Sequence, residues 1–200
     1  MKVIVVGASG TIGSAVVQAL NGRHEIIKVG KINGDYKVDI SDFNQIKEMF
    51  EQIGSFDALV SAVGDVHFGV LQEFNANRWA IGLNSKLMGQ VNLVMSSLDF
   101  INDGGSFTLT SGILSHDPIR YGCAASMVNN AIDGFVRSAS IEMTRGVRIN
   151  VVSPTILKES MDKYGDFFNG FIPVAANDVA QSYIKSIDGH QTGQVYRAGW

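Results

Sequence analysis

The stretch Val3-Ile4-Val5-Val6-Gly7-Ala8-Ser9-Gly10-Thr11-Ile12-Gly13 decides the fold. Four consecutive β-branched residues predict a strand buried on both faces, and the spaced glycines predict a tight turn into a helix. Gly7 permits the bend, Gly10 lets the backbone approach a phosphate group, and Gly13 lets the helix pack against the strand. The helix start adds free N–H groups and partial positive charge, so we expect it to bind the pyrophosphate of a dinucleotide. The expected contacts are Gly7, Ser9, Gly10, Thr11, Ile12 and Gly13.

Apolar strand-like runs alternate with amphipathic helical segments along the whole chain. The predicted strands are Val3–Val6, Glu25–Val29, Tyr36–Asp39, Ala58–Ser61, Ser106–Thr110, Arg148–Val152 and Gln194–Tyr196. Such alternation favours a parallel sheet with right-handed crossovers. The sequence therefore predicts a single α/β domain over residues 1–200. Its expected fold is Rossmann-type, doubly wound and three-layered (α/β/α), with a mostly parallel sheet of about seven strands.

One predicted crossover is too short to contain a helix. Only the residues from Gly30 to Tyr36 separate the second and third strands, whereas a parallel connection usually needs a dozen or more. Seven extended residues reach roughly 23 Å, enough to run back along a strand of about 17 Å. We therefore predict a short loop in place of the helix between strands 2 and 3.

Composition excludes several classes of protein. The chain is 46% hydrophobic and 18% charged with a net charge of −3, which is typical of a globular protein without a nucleic-acid-binding basic surface. It has no apolar run long enough for a signal peptide or a membrane span. A single cysteine, Cys123, fits a reducing compartment. We therefore expect a cytoplasmic protein with a small-molecule ligand, and no nucleic-acid, membrane or metal partner.

Further landmarks follow the glycine turn in a fixed order. They are Val38-Asp39-Ile40, Ser61-Ala62-Val63-Gly64, Leu109-Thr110-Ser111, Arg148-Ile149-Asn150-Val151-Val152-Ser153-Pro154 and Thr192-Gly193-Gln194-Val195. Over nearly the whole chain this order resembles the short-chain dehydrogenase/reductase family. Two departures are the Gly-x-x-Gly-x-x-Gly spacing, found in the extended branch of that family, and Thr155 in place of a glycine. The resemblance implies a nicotinamide dinucleotide with further contacts at Asp39, Ile40, Ala62, Val63, Gly64 and Pro154.

The end of the second strand discriminates between the two nicotinamide cofactors. An acidic residue there receives the ribose 2′-OH of NAD, whereas a basic residue accepts the 2′-phosphate of NADP. Here Val29-Gly30-Lys31 is followed by no acidic residue before Asp35. Lys31 therefore favours NADP(H), and NAD stays possible.

The resemblance implies a catalytic Asn, a Ser, a Tyr and a Lys four residues after the Tyr. Ile132-Asp133-Gly134-Phe135 resembles a helix end of the family, and in that register Ala125 takes the Tyr position and Asn129 the Lys position. Trp79 and Gly89 give a second register, which puts Lys86 at the Asn position. Ser111 alone matches the family.

Tyr121 is the nearest tyrosine, about one helical turn before the expected place. Three interpretations follow. The chain is an oxidoreductase acting on a carbonyl or alcohol with a rebuilt site, in which Ser111 holds the substrate oxygen, Lys86 supplies positive charge and Tyr121 or a water delivers the proton. Alternatively, it is an inactive NADP(H)-binding sensor or partner-binding module, or a non-redox isomerase or lyase.

Two expectations rest on the resemblance alone. Members of the family commonly form homodimers or homotetramers through two long helices, which here would be Arg78–Ile101 and Ala124–Met143. Residues 156–172, rich in phenylalanine and glycine, occupy the place of the substrate-covering loop. Their aromatic residues are equally consistent with a pocket wall and with a cap on the core.

Overall fold

The computed structural model describes residues 1–200 and contains one seven-stranded sheet. The strands are β1 (Lys2–Val6), β2 (Glu25–Gly30), β3 (Tyr36–Lys37), β4 (Phe56–Ser61), β5 (Ile101–Thr110), β6 (Arg148–Pro154) and β7 (Val195–Ala198). Their order is β3-β2-β1-β4-β5-β6-β7, and every neighbouring pair is parallel. This topology confirms the predicted doubly wound Rossmann-type fold.

Helices cover both faces of the sheet. They are α1 (Thr11–Leu20), α2 (Phe43–Ile53), α3 (Ala76–Ile81), α4 (Gly89–Met95), α5 (Cys123–Glu142), α6 (Met161–Tyr164) and α7 (Ala176–Asp188). One core cluster joins α1 and α7 to the sheet, and a second joins α2, α4 and α5 to it. The apolar faces of these helices are buried, so the three layers follow from helical periodicity. No helix combines the length and the apolar character that crossing a bilayer requires.

The connection between β2 and β3 is the predicted short loop. It contains no helix, and its backbone folds back so that the Asp35 amide donates to the Lys28 carbonyl (2.7 Å). The Asp35 carboxylate in turn accepts from the Lys28 amide (2.8 Å). β3 ends at Lys37 rather than Asp39, because the chain leaves the sheet edge there toward α2.

The predicted helix Arg78–Ile101 is wrong in its extent. Helical structure ends at Met95, and Ile101 is the first residue of β5. Ser97, whose hydroxyl donates back to the Leu93 carbonyl (2.6 Å), lies in the turn that ends the helix. The apolar residues beyond Ser97 continue the helical spacing, which explains the overlong prediction.

The same helical stretch is not uniform. Between α3 and α4, residues Gly82–Met88 form a π-helical segment, which contains Lys86. π-helical turns are rare and occur frequently at functional sites, because the extra residue per turn changes which side chains face inward. The segment therefore changes the direction of Lys86 from that of a regular helix.

Candidate active site

The candidate site lies beyond the carboxyl ends of the central strands. β1 pairs with β2 on one side and with β4 on the other, so the direction of the crossovers reverses at β1. Ligands of open α/β sheets bind in the crevice at such a switch point. Val6 pairs with Ser61 and Thr110 pairs with Val152, so the residues after these strands share one edge.

The glycine turn has the geometry that its spacing predicts. Gly7 has φ +86°, and a Cβ there would lie 2.5 Å from the Ala62 carbonyl oxygen. A Cβ on Gly13 would overlap the Gly7 carbonyl oxygen, so both positions require glycine. Helix α1 begins after Gly10 with no side-chain cap, and Ser9, Gly10 and Thr11 are exposed. The amides of Gly7, Ala8 and Gly10 donate to backbone carbonyls, whereas those of Ser9, Thr11, Ile12 and Gly13 do not, and these four fit a pyrophosphate.

Lys31 and Asp39 form an ion pair beside the glycine turn. The Lys31 ammonium lies 2.7 Å from the Asp39 carboxylate, which also accepts from the amide and hydroxyl of Ser41. Lys31 and these Ser41 bonds lower the pKa of Asp39 to about 2, and Asp39 raises the pKa of Lys31. Because the Lys31 side chain is 73% exposed, solvent screens the pair and the ammonium can turn to another anion.

Ile40, the other residue expected near the adenine, has a buried side chain. It packs against α4 at Gly89, where a Cβ would lie 2.8 Å from the Ile40 Cδ1 atom. The side chain of Ile40 therefore fixes the α4 position, while Lys31 and Asp39 remain at the surface.

Lys86 extends from the π-helical segment toward the end of β5. Its ammonium donates to the Ser111 backbone carbonyl (3.2 Å), and Gly64 packs so closely on Lys86 that a Cβ would lie 2.5 Å from the Lys86 Cα. Burial lowers the pKa of Lys86 to about 8, while the negative charge of Asp133 acts in the opposite direction. Asp133 is itself buried, and one of its oxygens has no partner. The site thus holds a half-buried lysine with one buried counter-charge.

Three buried polar residues line the same cavity as Lys86. The cavity has a volume of about 320 Å³, and its wall includes Ser111, Asn129 and Thr155. Each of the three has a buried oxygen without a hydrogen-bond partner: Ser111 Oγ, Asn129 Oδ1 and Thr155 Oγ1. Such atoms are uncommon in folded proteins, and here they fit a bound ligand with several hydrogen-bonding groups. We name this space the Lys86 cavity.

A hydrogen-bond network holds the end of β5 in place. Gln90 of α4 is buried; its side chain accepts from the Thr110 amide and donates to the Thr110 carbonyl, at 2.9 Å each. The Thr110 hydroxyl is 2.6 Å from both the Ser61 carbonyl and the Tyr183 hydroxyl. Because Thr110 precedes Ser111 directly, these bonds fix the direction in which β5 presents Ser111.

Comparisons with known proteins match almost the entire chain. A family profile described as enoyl-(acyl carrier protein) reductase matches residues 3–188. The protein lin1944 from Listeria innocua, whose crystal structure is known, has 50% sequence identity to this chain. The two structures match with a TM-score of 0.97 over 98% of each chain. The chain belongs to the short-chain dehydrogenase/reductase family. As a member of this family, the chain is an oxidoreductase-like protein whose fold binds nicotinamide dinucleotides. No curated protein matched the chain.

More distant solved structures share the fold. A small-chain dehydrogenase solved in complex with NADPH is 24% identical with a TM-score of 0.89, over 99% of this chain and 96% of the other. ElxO, solved with NADP bound, is 20% identical with a TM-score of 0.86, over 98% of this chain and 96% of the other.

Two of the three predicted catalytic residues of this family member come together. Ser111 and Lys86 line one cavity, but Tyr121 does not. Tyr121 has φ +68°, and its ring contacts Phe167 edge-on at 6.1 Å in a neighbouring apolar space. The expectation that Tyr121 shares the Ser111 site is therefore not met, because the loop before α5 carries its side chain elsewhere.

Sequence reasoning missed Thr155 and Tyr164 as site residues. Ala125, at the usual tyrosine position, lines the Lys86 cavity with no group that could transfer a proton. Thr155 appeared only as a departure from the family pattern, and Tyr164 belongs to the covering segment, whose sequence gives no register. Placing either residue requires the three-dimensional path of residues 155–172.

Proposed function

We propose that this protein is an NADP(H)-dependent oxidoreductase that interconverts a carbonyl and an alcohol in the Lys86 cavity. The observation that carries the proposal is the meeting of Lys86 with Ser111, whose Oγ is buried, unpaired and on the wall of the same cavity. The exposed Lys31 and the two related structures holding NADPH or NADP support the phosphorylated cofactor.

Different segments of the chain bind different parts of the cofactor. The amides of Ser9, Thr11, Ile12 and Gly13, which donate to no backbone carbonyl, hold the pyrophosphate. Lys31 leaves Asp39 to bind the 2′-phosphate. Gly64 and the end of β6 at Pro154 form the wall beside the nicotinamide half, where NADPH supplies a hydride when it is bound. Asn129 and Thr155 offer the unpaired oxygens for polar groups of that half.

Ser111 and Lys86 act on the substrate oxygen. The Ser111 hydroxyl donates a hydrogen bond to the carbonyl oxygen and orients the carbonyl. The Lys86 ammonium would stabilise the negative charge that develops on that oxygen and would donate one proton to it. A pKa of about 8 suits this role, since a lysine of that acidity is protonated at neutral pH and yet gives up its proton readily. Lys86 then recovers a proton from solvent.

A second function is favoured by one specific observation. Ala125 occupies the position of the family's usual proton donor, and Asn129 occupies that of its lysine partner. A cavity without that pair suits a protein that binds NADP(H) without turnover, as a sensor or as a partner-binding module. This alternative shares the cofactor site and differs only in the chemistry.

The experiment separates binding from turnover. Affinities for NADPH and NADH are measured by titration, and NADPH oxidation is then followed with a panel of aldehydes and ketones at high protein concentration. The proposal expects NADPH to bind more tightly than NADH and at least one carbonyl to be reduced, with the rate lost in Ser111→Ala. Tight NADPH binding with no oxidation across the panel supports the non-catalytic function instead.

A further inference from the structure

A second, apolar space adjoins the Lys86 cavity. We name it the aromatic chamber. It has a volume of about 120 Å³. Its wall consists of Phe68, Gly69, Ile119, Tyr121, Tyr164, Phe167 and Phe168. No aspartate, glutamate, lysine, arginine or histidine lines it.

The chamber and the Lys86 cavity share part of their walls. Phe68, Tyr164 and Phe168 line both spaces, and the Phe68 and Tyr164 rings lie 6.2 Å apart. The two spaces therefore adjoin at these three side chains, which places the chamber directly beside the cavity that contains Ser111.

The size and chemistry of the chamber restrict what fits it. An apolar cavity of about 150 Å³ in another protein stays dry and binds benzene, so about 120 Å³ suits a group of roughly that size. Two cations contact the outside of aromatic residues of the wall: Arg120 lies over the Tyr121 ring at 4.7 Å, and Lys163 over the Tyr164 ring at 4.9 Å. A charged substituent would lose its hydration in the chamber without gaining a partner.

The backbone of the chamber wall is held in an unusual conformation. Tyr121 is one of two non-glycine residues with positive φ, and its carbonyl accepts from the Gly69 amide (3.1 Å). That bond ties the segment after β4 to the loop before α5, so Tyr121 and Phe68 form one continuous wall. A strained backbone conformation of this kind persists where the surroundings enforce it, and such conformations cluster at ligand sites.

We propose that the aromatic chamber seats an uncharged, phenyl-sized apolar group of the substrate, so that the substrate is an aromatic or comparably compact apolar carbonyl compound. This inference rests on the proposed function for the carbonyl alone. The binding of the apolar group is a separate property of the chamber and needs no turnover.

Turnover is tested with three carbonyls that differ in one respect each. Benzaldehyde carries the proposed group, acetaldehyde lacks it, and 4-carboxybenzaldehyde adds a charge. We expect kcat/KM for benzaldehyde to exceed that for each of the others by at least about tenfold. Equal or greater kcat/KM for acetaldehyde or 4-carboxybenzaldehyde would overturn the inference.

Binding is tested without turnover, using fluorobenzene and fluorine NMR line broadening. We expect broadening with the unmodified protein, and loss of it in Ile119→Trp, which fills the chamber, and in Phe167→Ala, which removes a partly exposed wall. Phe43→Ala, a change at an exposed phenylalanine of α2, is the matched control and should leave the broadening unchanged. NADPH affinity verifies that each variant is folded.

The two tests distinguish the failure of this inference from that of the proposed function. Fluorobenzene binding that both chamber variants abolish, with no carbonyl reduced, refutes the oxidoreductase and keeps the chamber assignment. Carbonyl reduction without fluorobenzene binding, or binding that persists in folded Ile119→Trp and Phe167→Ala, refutes the chamber assignment and keeps the oxidoreductase.

Discussion

Lys86 and Asn129 contact the same cavity from two different helical segments. In the family pattern the lysine belongs to the later helix and the asparagine to the earlier one. In this chain the two residue types are exchanged between those helices. The cavity keeps one cation, one amide and the hydroxyl of Ser111. What changes is the source of the proton, because the tyrosine hydroxyl is replaced by the methyl group of Ala125. In the proposed mechanism Lys86, whose ammonium donates to the Ser111 carbonyl, takes the place of that donor.

Substituting Lys86 tests this assignment directly. We expect Lys86→Met to lower the rate of carbonyl reduction by about 10²–10⁴-fold, since proton delivery contributes that much to such reactions. Single-turnover oxidation of bound NADPH measures the rate separately from cofactor affinity. Lys47→Met, which removes an exposed lysine of α2, is the control and should have no effect. An unchanged single-turnover rate in Lys86→Met would remove Lys86 from the mechanism.

The pH dependence of the reaction should report the titration of Lys86. Burial lowers its pKa from 10.5 to about 8, so the proton-donating form is present below about pH 8 and is lost above it. We expect kcat/KM for reduction to fall about tenfold per pH unit above that value. Asp133→Asn should move this fall to lower pH, because Asp133 is the charge that raises the pKa. Glu48→Gln on exposed α2 should leave the profile in place, and an unmoved profile in Asp133→Asn contradicts the assignment.

Lys31 should determine the preference between the two cofactors. We expect Lys31→Ala to weaken NADPH binding by about tenfold or more at low salt and to change NADH binding little, since a charge-assisted hydrogen bond contributes about 1.5–3 kcal/mol. Titration of both cofactors measures the ratio, and it should shrink as salt rises. Lys37→Ala, at an exposed position on β3, is the control. Equal losses for NADPH and NADH would mean that Lys31 does not contact the 2′-phosphate.

At the scale of elements, the glycine turn combines close packing with a free helix end. The Cβ overlap at Gly13 arises because α1 packs directly on the turn that precedes it. Gly134, in contrast, lies in the middle of α5, is exposed, and a Cβ there would meet nothing. Both residues are helical glycines, so they form a matched pair for substitution.

Replacing these two glycines by alanine should have opposite effects. Gly13→Ala should lower the free energy of unfolding and weaken NADPH binding, since α1 must move off β1 to make room. Gly134→Ala should raise the free energy of unfolding by about 0.5–1 kcal/mol, because alanine restricts the unfolded chain and favours the helix. Denaturant unfolding and cofactor titration measure both effects. Equal stability changes in the two variants would contradict the packing described for Gly13.

The elements that the sequence predicts best have local signals. Continuous β-branched runs and spaced glycines identify β1 and α1, and the short spacing identifies the loop between β2 and β3, because each depends on neighbouring residues alone. The end of α4 depends on Ser97, whose effect is hidden by the apolar residues after it. The π-helical segment and the direction of Tyr121 depend on packing against distant segments, so no spacing reveals them. The sequence therefore predicts Ser111 and Lys86 as residues of the Lys86 cavity and misses Thr155 and Tyr164.

At the scale of the whole molecule, the strand order separates two working surfaces. The cofactor crevice, the Lys86 cavity and the aromatic chamber all lie beyond the carboxyl ends of the strands. The outer faces of α4 and α5 lie to the side of this edge and carry exposed apolar residues. They include Met95, Met127 and Ile141, which are 55%, 40% and 85% exposed. These faces can meet a second copy of the chain without covering the site.

We expect the protein to form a homodimer or homotetramer through these faces of α4 and α5. Ile141→Lys should shift the assembly toward the monomer, because a charge would then lie within an apolar contact. Sedimentation velocity measures the change. Ile32→Lys is the matched control, since Ile32 is 74% exposed on the loop between β2 and β3, at the far end of the sheet. If the wild-type protein is a monomer, or if Ile32→Lys alone dissociates the assembly, then the apolar residues of α4 and α5 have no role in assembly. Retained NADPH affinity in the Ile141→Lys monomer would show that one chain holds a complete cofactor site.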